Sequence, residues 1–178
     1  MIEMTYLELL ILITIVWIIV RLIVNCKSKS FSVKREALLL LVYICLIVVA
    51  RFVNFPLHHV DGHIGTMKFD ASKVFPLWVN LIPVVHLFDV YDGWIINIIG
   101  NIAMFIPVGI VWPVCFKKLD TFGKTILAGV GFTLFIEITQ LPFYERCSDV
   151  DDIILNSAGF IIGAGIVFVI RKLQSKKG

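Results

Sequence analysis

TILAGVGFTLFIEITQLPF, residues 125–143, is the stretch on which the reading of this chain turns. A bilayer-spanning helix needs about 20 mainly apolar residues, and this run supplies them. It nevertheless carries Glu137. A carboxylate in a spanning helix costs roughly 2.5–3.5 kcal/mol on insertion scales, so it requires a partner, a proton or a task.

Four other runs have the same apolar length: residues 5–24, 37–56, 94–115 and 152–170. A further stretch, VFPLWVNLIPVVHLFDV at 74–90, is apolar but holds Pro76, Pro83, Asn80 and His86. Two prolines argue against a continuous lipid-exposed span there, so it reads as an interfacial or re-entrant segment. The expected fold is an all-α polytopic transmembrane bundle of about five spanning helices plus that segment. Its expected parts are two N-terminal helices with an outer loop over residues 1–73, a core of three helices over 74–170, and a basic tail over 171–178.

Composition agrees. Of the 178 residues, 59% are hydrophobic and 16% charged, with a mean hydropathy of +0.95. Soluble domains run at about 45–50% apolar and roughly 25% charged. The first apolar run reads as a retained span rather than a cleaved signal. Glu3 and Glu8 stand where a basic n-region belongs, and no A-x-A site follows.

Charge gives the expected orientation. Twelve of the 16 Lys and Arg fall on one side of the spans, leaving Arg51, Lys68, Lys73 and Arg146 on the other. By the positive-inside rule the N-terminus is expected outside and the C-terminus in the cytoplasm. The basic excess then reports topology and contact with membrane lipids, not nucleic acid. Acids show the reverse bias: Glu36 and Asp120 lie in inner loops, while Asp149, Asp151, Asp152 and five others lie at the outer face. No two cysteines share an oxidising compartment in this topology, so no intramolecular disulfide is expected.

Helical rise converts topology into depth. Asn97 and Asn101 fall about 5 and 10 Å inside the outer end of their span, Gln140 and Glu137 about 5 and 9 Å inside theirs, and Asn156 about 6 Å inside its own. The pairs Asn97/Asn101 and Asp152/Asn156 are spaced i,i+4 and Glu137/Gln140 i,i+3, so each helix offers one polar stripe. Lipid penalises such stripes, and they are expected to face one another. Gly159 and Gly163, a G-x-x-x-G pair, would let helices approach closely. Pro107 is expected to bend the third span.

These residues resemble, in order and spacing, the VanZ-like membrane family. The matching pieces are NLIP at 80–83, NIIGNIAMFIPVGIVWP at 97–113, FIEITQ at 135–140 and RCSDVDDIILNSAGFIIG at 146–163. The resemblance covers about half the chain and singles out Asn97, Asn101, Glu137, Gln140, Arg146, Asp149, Asp152 and Asn156. It implies a protein of the bacterial cytoplasmic membrane that affects susceptibility to teicoplanin, a lipid-tailed glycopeptide.

Each signal has two readings. Glu137, with Asp149 and Asp152, is either a catalytic acid/base set or a structural tie between helices. Asn97, Asn101, Gln140 and Asn156 either orient a ligand or bond helix to helix. Arg146 either forks onto a phosphate or carboxylate, or pairs with the acids near it. HHVDGH at 58–63 has no trusted metal spacing, so no metal and no cofactor are expected. No P-loop, nucleophile elbow or H-E-x-x-H occurs. Three functions stay in view. One is binding of a lipid-linked envelope precursor, lipoglycopeptide or partner at the outer leaflet. Another is hydrolase or transferase chemistry on a lipid-linked phosphate or sugar. Transport ranks last, because the polar groups stop in the outer third.

Overall fold

The computed structural model of the protein describes residues 2–28, 31–55, 59–60, 63–69, 79–83, 94–144 and 148–176. Five helices in it are long and apolar enough to cross a membrane: α1 Tyr6–Ser28, α2 Val33–Asn54, α3 Trp94–Cys115, α4 Phe122–Gln140 and α5 Val150–Ser175. This is a multi-pass membrane protein. The strands are two or three residues long: β1 Ile2–Met4, β2 His59–Val60, β3 His63–Ile64, β4 Met67–Phe69, β5 Val79–Asn80, β6 Phe143–Tyr144 and β7 Ser148–Asp149.

Helix ends follow local chemistry. At α1, Thr5 and Glu8 form a capping box: the Thr5 N–H donates to Glu8 Oε2 at 2.7 Å, and the Glu8 N–H donates to Thr5 Oγ1 at 3.3 Å. The second span was expected to reach residue 56 but stops at Asn54. Phe55 precedes Pro56 and is extended, at φ −125° and ψ 147°. The fourth was expected to reach 143 but ends at Gln140, since Pro142 has no N–H to continue the ladder. The third matches residue for residue and runs through both Pro107 and Pro113.

The chain forms two compact units, Met1–Ala71 and Ser72–Gly178. In the first, α1 and α2 are antiparallel, as three ties of opposite progression show. Arg21 Nε donates to Glu36 Oε2 at 2.9 Å, Thr14 and Tyr43 share a hydroxyl bond at 2.7 Å, and the rings of Tyr6 and Phe55 meet edge-on at 5.6 Å. Asn25 Nδ2 also donates to Glu36 Oε1 at 3.1 Å. β1 pairs antiparallel with β4, Glu3 opposite Lys68, and β2 pairs with β3. The hairpin's one ion pair among the described residues is half-screened, and Glu36→Gln is expected to destabilise the unit by about 1–2 kcal/mol. Thermal unfolding in a lipid mimetic reads this; an unchanged midpoint would show the clasp to be energetically idle.

In the second unit α3 and α5 run parallel and touch through backbone. A Cβ on Gly159 would lie 2.1 Å from the Ile102 carbonyl oxygen, one on Gly163 2.1 Å from that of Ile106, and one on Gly109 2.2 Å from that of Phe160. The expected G-x-x-x-G approach is therefore a contact without room for a methyl group. Gly100 and Gly131, by contrast, have nothing within 4 Å of a would-be Cβ. α4 packs antiparallel to α5, with Gly129 against the Phe160 ring and Phe122 edge-on to Phe168 at 5.6 Å. Phe105, Phe132, Trp112 and Phe160 fill the middle of the unit, with ring centroids 5.0–6.0 Å apart.

This pairing sets the start of α3, the end of α4 and the start of α5 at one end, rich in acids. The opposite end carries Lys117, Lys118, Lys124, Arg171, Lys172 and Lys176. The expected re-entrant stretch at 74–90 lies mainly outside the described residues; its described part, Val79–Pro83, begins as β5. HHVDGH likewise falls outside except for the backbone of β2 and β3.

Candidate functional site

Thr125, Gly129, Thr133 and Glu137 recur every four residues on α4, and all four are buried. One face of α4 is thus small or polar along its whole length, and it turns toward α5 rather than lipid. Glu137 is only 2% exposed. Its Oε2 accepts two hydrogen bonds, from Ser148 Oγ and from the Asp149 backbone N–H, each at 3.1 Å. The carboxylate therefore grips the turn that leads into α5.

That turn is ordered from its other side as well. β7 lies parallel to β5, with Val79 opposite Ser148 and Asn80 opposite Asp149. Asn80 Nδ2 donates to Asp149 Oδ1 at 3.1 Å, and Asn80 Oδ1 accepts the Ile82 N–H at 3.2 Å. The same Asp149 oxygen caps α5 by accepting the Asp151 N–H at 2.9 Å. Asp149 is thus a hub: side chain to Asn80 and the helix start, backbone to Glu137.

From α3, Asn101 Nδ2 donates to Asp152 Oδ1 at 2.7 Å, a charge-assisted bond, and to Asn97 Oδ1 at 3.4 Å. Asp152 stands three residues after Asp149, whose backbone N–H holds Glu137, so the three acids share one end of the unit. Two hydrogen-bonded groups, one tying α4 and β5 to the turn before α5 and one tying α3 to the first turn of α5, thus sit at the same end of the unit. Asn97 sits at its rim on an exposed part of α3, flanked by exposed Ile95, Ile96 and Ile99, rather than inside it. Gln140, at 5% exposure, and Asn156, at 1%, are buried. Asn156 Oδ1 makes no hydrogen bond among the described residues. Arg146 lies outside the described residues.

Of the expected site residues, then, two hydrogen-bonded groups form: Glu137 with Asp149, and Asp152 with Asn101 and Asn97. Asn80 and Ser148 belong to the first group too, and sequence reasoning had not singled them out as site residues. Asn80 stood in the NLIP stretch and Ser148 beside Asp149, but nothing in spacing alone pairs residues 69 positions apart. Asp151 is the deeper acid at 5% exposure, whereas Asp152 is half-buried. Neighbouring positions on a helix differ by about 100°, so only one can face inward.

At this end the described residues supply four acids and five amides and no Lys or Arg. The chemistry is that of carboxylate acceptors set among amides that both donate and accept. Among the described residues no three His, Cys, Asp or Glu side chains come together as a metal cage. Toward the opposite end the polar face is interrupted. Thr133 and Thr125 bond back to Val130 O at 3.3 Å and Thr121 O at 3.0 Å, and the Phe160 ring covers Gly129 between them.

A family model described as VanZ/LLP1 matches residues 38–171. The match reaches through most of α2, further toward the N-terminus than the motifs that begin at residue 80. No curated protein and no solved structure matches the chain.

Proposed function

The chain belongs to the VanZ/LLP1 family, and from that premise we propose that its acidic end binds the polar head of a lipid-linked or lipid-tailed envelope molecule at the outer leaflet of a bacterial cytoplasmic membrane. The N-terminus would lie outside and the C-terminus in the cytoplasm, following the distribution of Lys and Arg. Binding would alter susceptibility to lipoglycopeptides such as teicoplanin. The observation carrying this reading is the gathering, at one end of the unit, of the carboxylates Glu137, Asp149 and Asp152 with the amide donors Asn80 and Asn101 that hold two of them.

Glu137 uses Oε2 for both of its ties to the turn. Acceptors of this kind suit a head bearing hydroxyl or ammonium donors, such as a sugar or amino sugar. Asn97 at the rim and Gln140 and Asn156 behind it would orient that head, with Arg146 as the cation available to a phosphate on the same ligand.

Fluorescent teicoplanin binding to the purified protein in nanodiscs tests this reading. Wild-type protein is expected to bind, and Glu137→Gln to weaken binding about tenfold or more, the loss of roughly one charge-assisted hydrogen bond. Equal binding by both would remove Glu137 from the ligand.

A second reading is catalytic, favoured by the unequal settings of the carboxylates: Glu137 is buried, whereas Asp152 is half-buried. Acids held in different environments suit separate acid and base roles on a lipid-linked phosphate or sugar. Turnover of labelled envelope lipids by the purified protein, abolished by Asp152→Asn, is its expected signature. Intact lipid after prolonged incubation over a range of pH and metal ions would leave binding as the activity.

A further inference from the structure

The opposite end of the second unit has chemistry of its own that the acidic network does not use. Six cations, Lys117, Lys118, Lys124, Arg171, Lys172 and Lys176, face one acid, Asp120, among the described residues there. Lys124 takes that acid at 2.8 Å, four residues away. The remaining cations have no carboxylate partner among the described residues.

Arg171 differs from the lysines because it is held. Its Nη2 donates to the Pro113 carbonyl at 2.6 Å, and its guanidinium carbon stands 5.1 Å from the centre of the Phe168 ring. The Pro113 oxygen is available because α3 ends at Cys115, before an i+4 N–H can reach it. The tie joins the end of α3 to α5 and fixes the guanidinium plane. It is the sole hydrogen bond of Arg171 among the described residues, so most of the fork is unspent, on an exposed side chain.

Depth places this fork where lipid phosphates lie. Arg171 is 21 residues beyond Val150, about 32 Å along the helix, close to the roughly 30 Å thickness of a hydrocarbon core. At this end of the unit Ile170, one position before Arg171, and Phe116 and Phe122 expose apolar surface. The Phe168 ring and the exposed Ile170 precede Arg171 along α5, so the cation ends an apolar stretch, which is the order of a phospholipid read from tail to head.

We propose that the basic end of α3 and α5 binds an anionic phospholipid, with its phosphate on the Arg171 fork, Lys117 and Lys172 beside it, and its acyl chains along the apolar flank of α5. The adjoining apolar surface selects a lipid over a soluble phosphate. A planar fork already anchored through Pro113 and Phe168 loses little freedom on binding, and it matches two phosphate oxygens as a lysine does not. This site is independent of the reading given to the acidic end.

The test uses the full chain reconstituted in phosphatidylcholine vesicles containing a minority of phosphatidylglycerol, with retained lipids counted by native mass spectrometry. Wild-type protein is expected to enrich phosphatidylglycerol about tenfold, the worth of one charged hydrogen-bonded contact. Arg171→Gln is expected to bring enrichment near unity. Arg171→Lys, which can still donate to Pro113, is the companion that keeps the fold and loses most of the preference. Equal retention of both lipids by wild type overturns the site. So does an undiminished preference in both Arg171 variants, with loss only in Lys117→Gln/Lys118→Gln, since that describes a diffuse basic coat. Inorganic phosphate raising the melting temperature as much as phosphatidylglycerol does would overturn the lipid as occupant.

Discussion

Glu137→Ala is expected to unseat the turn between α4 and α5 and destabilise the second unit by about 2–5 kcal/mol, the cost of stranding two buried donors. Both the Ser148 hydroxyl and the Asp149 N–H end on the lost oxygen. Glu137→Gln behaves differently, because an amide oxygen accepts the same two bonds. Its stability is expected to stay within about 1 kcal/mol of wild type, while the charge disappears. The pair of variants thus separates scaffolding from function. Denaturation in mixed micelles reads the first quantity. A Gln variant as unstable as the Ala variant would mean that charge, not hydrogen-bond geometry, holds the turn.

The second large effect is expected at the α3–α5 seam. Gly163→Leu places a side chain where even a Cβ would stand 2.1 Å from the Ile106 oxygen, with Ile110 N and Gly109 C at 3.0 and 3.1 Å. Those neighbours are backbone and cannot rotate away, so the two helices must separate. Loss of about 3 kcal/mol or more is expected, with little folded protein recovered from membranes. Separation also pulls Asn101 from Asp152, coupling the seam to the acidic network. Gly131→Leu, at a position with open space, is the matched control and is expected to fold. Equal recovery of the two variants would contradict the close-packed seam.

The spans were legible because a bilayer imposes length and apolarity on every crossing segment, and α3 fell on the expected residues. Ends were missed where a local rule outranked hydropathy: Pro56 and Pro142 stopped α2 and α4 early, and the Asp149 cap began α5 at Val150, two residues before the expected start. Glu137 was legible as a buried acid with work to do. Its partners were not, since one is a backbone N–H presented only once the turn has formed, and helical spacing says nothing about turns. The parallel strand pairing that brings Asn80 to Asp149 was invisible for the same reason. The i,i+4 spacing of Asn97 and Asn101 put them on one stripe, but a stripe has a rim, and Asn97 stands on it. Family membership reaches α2, whose residues showed no matching motif on reading.

Susceptibility to teicoplanin in a host lacking its own copy of the protein, scored for Glu137→Gln and Asp152→Asn with surface expression verified, tests the central claim most directly. The account predicts that both variants are present at wild-type level and that protection is lost. Full protection by both would contradict it, leaving the acidic end as a scaffold whose hydrogen bonds alone matter.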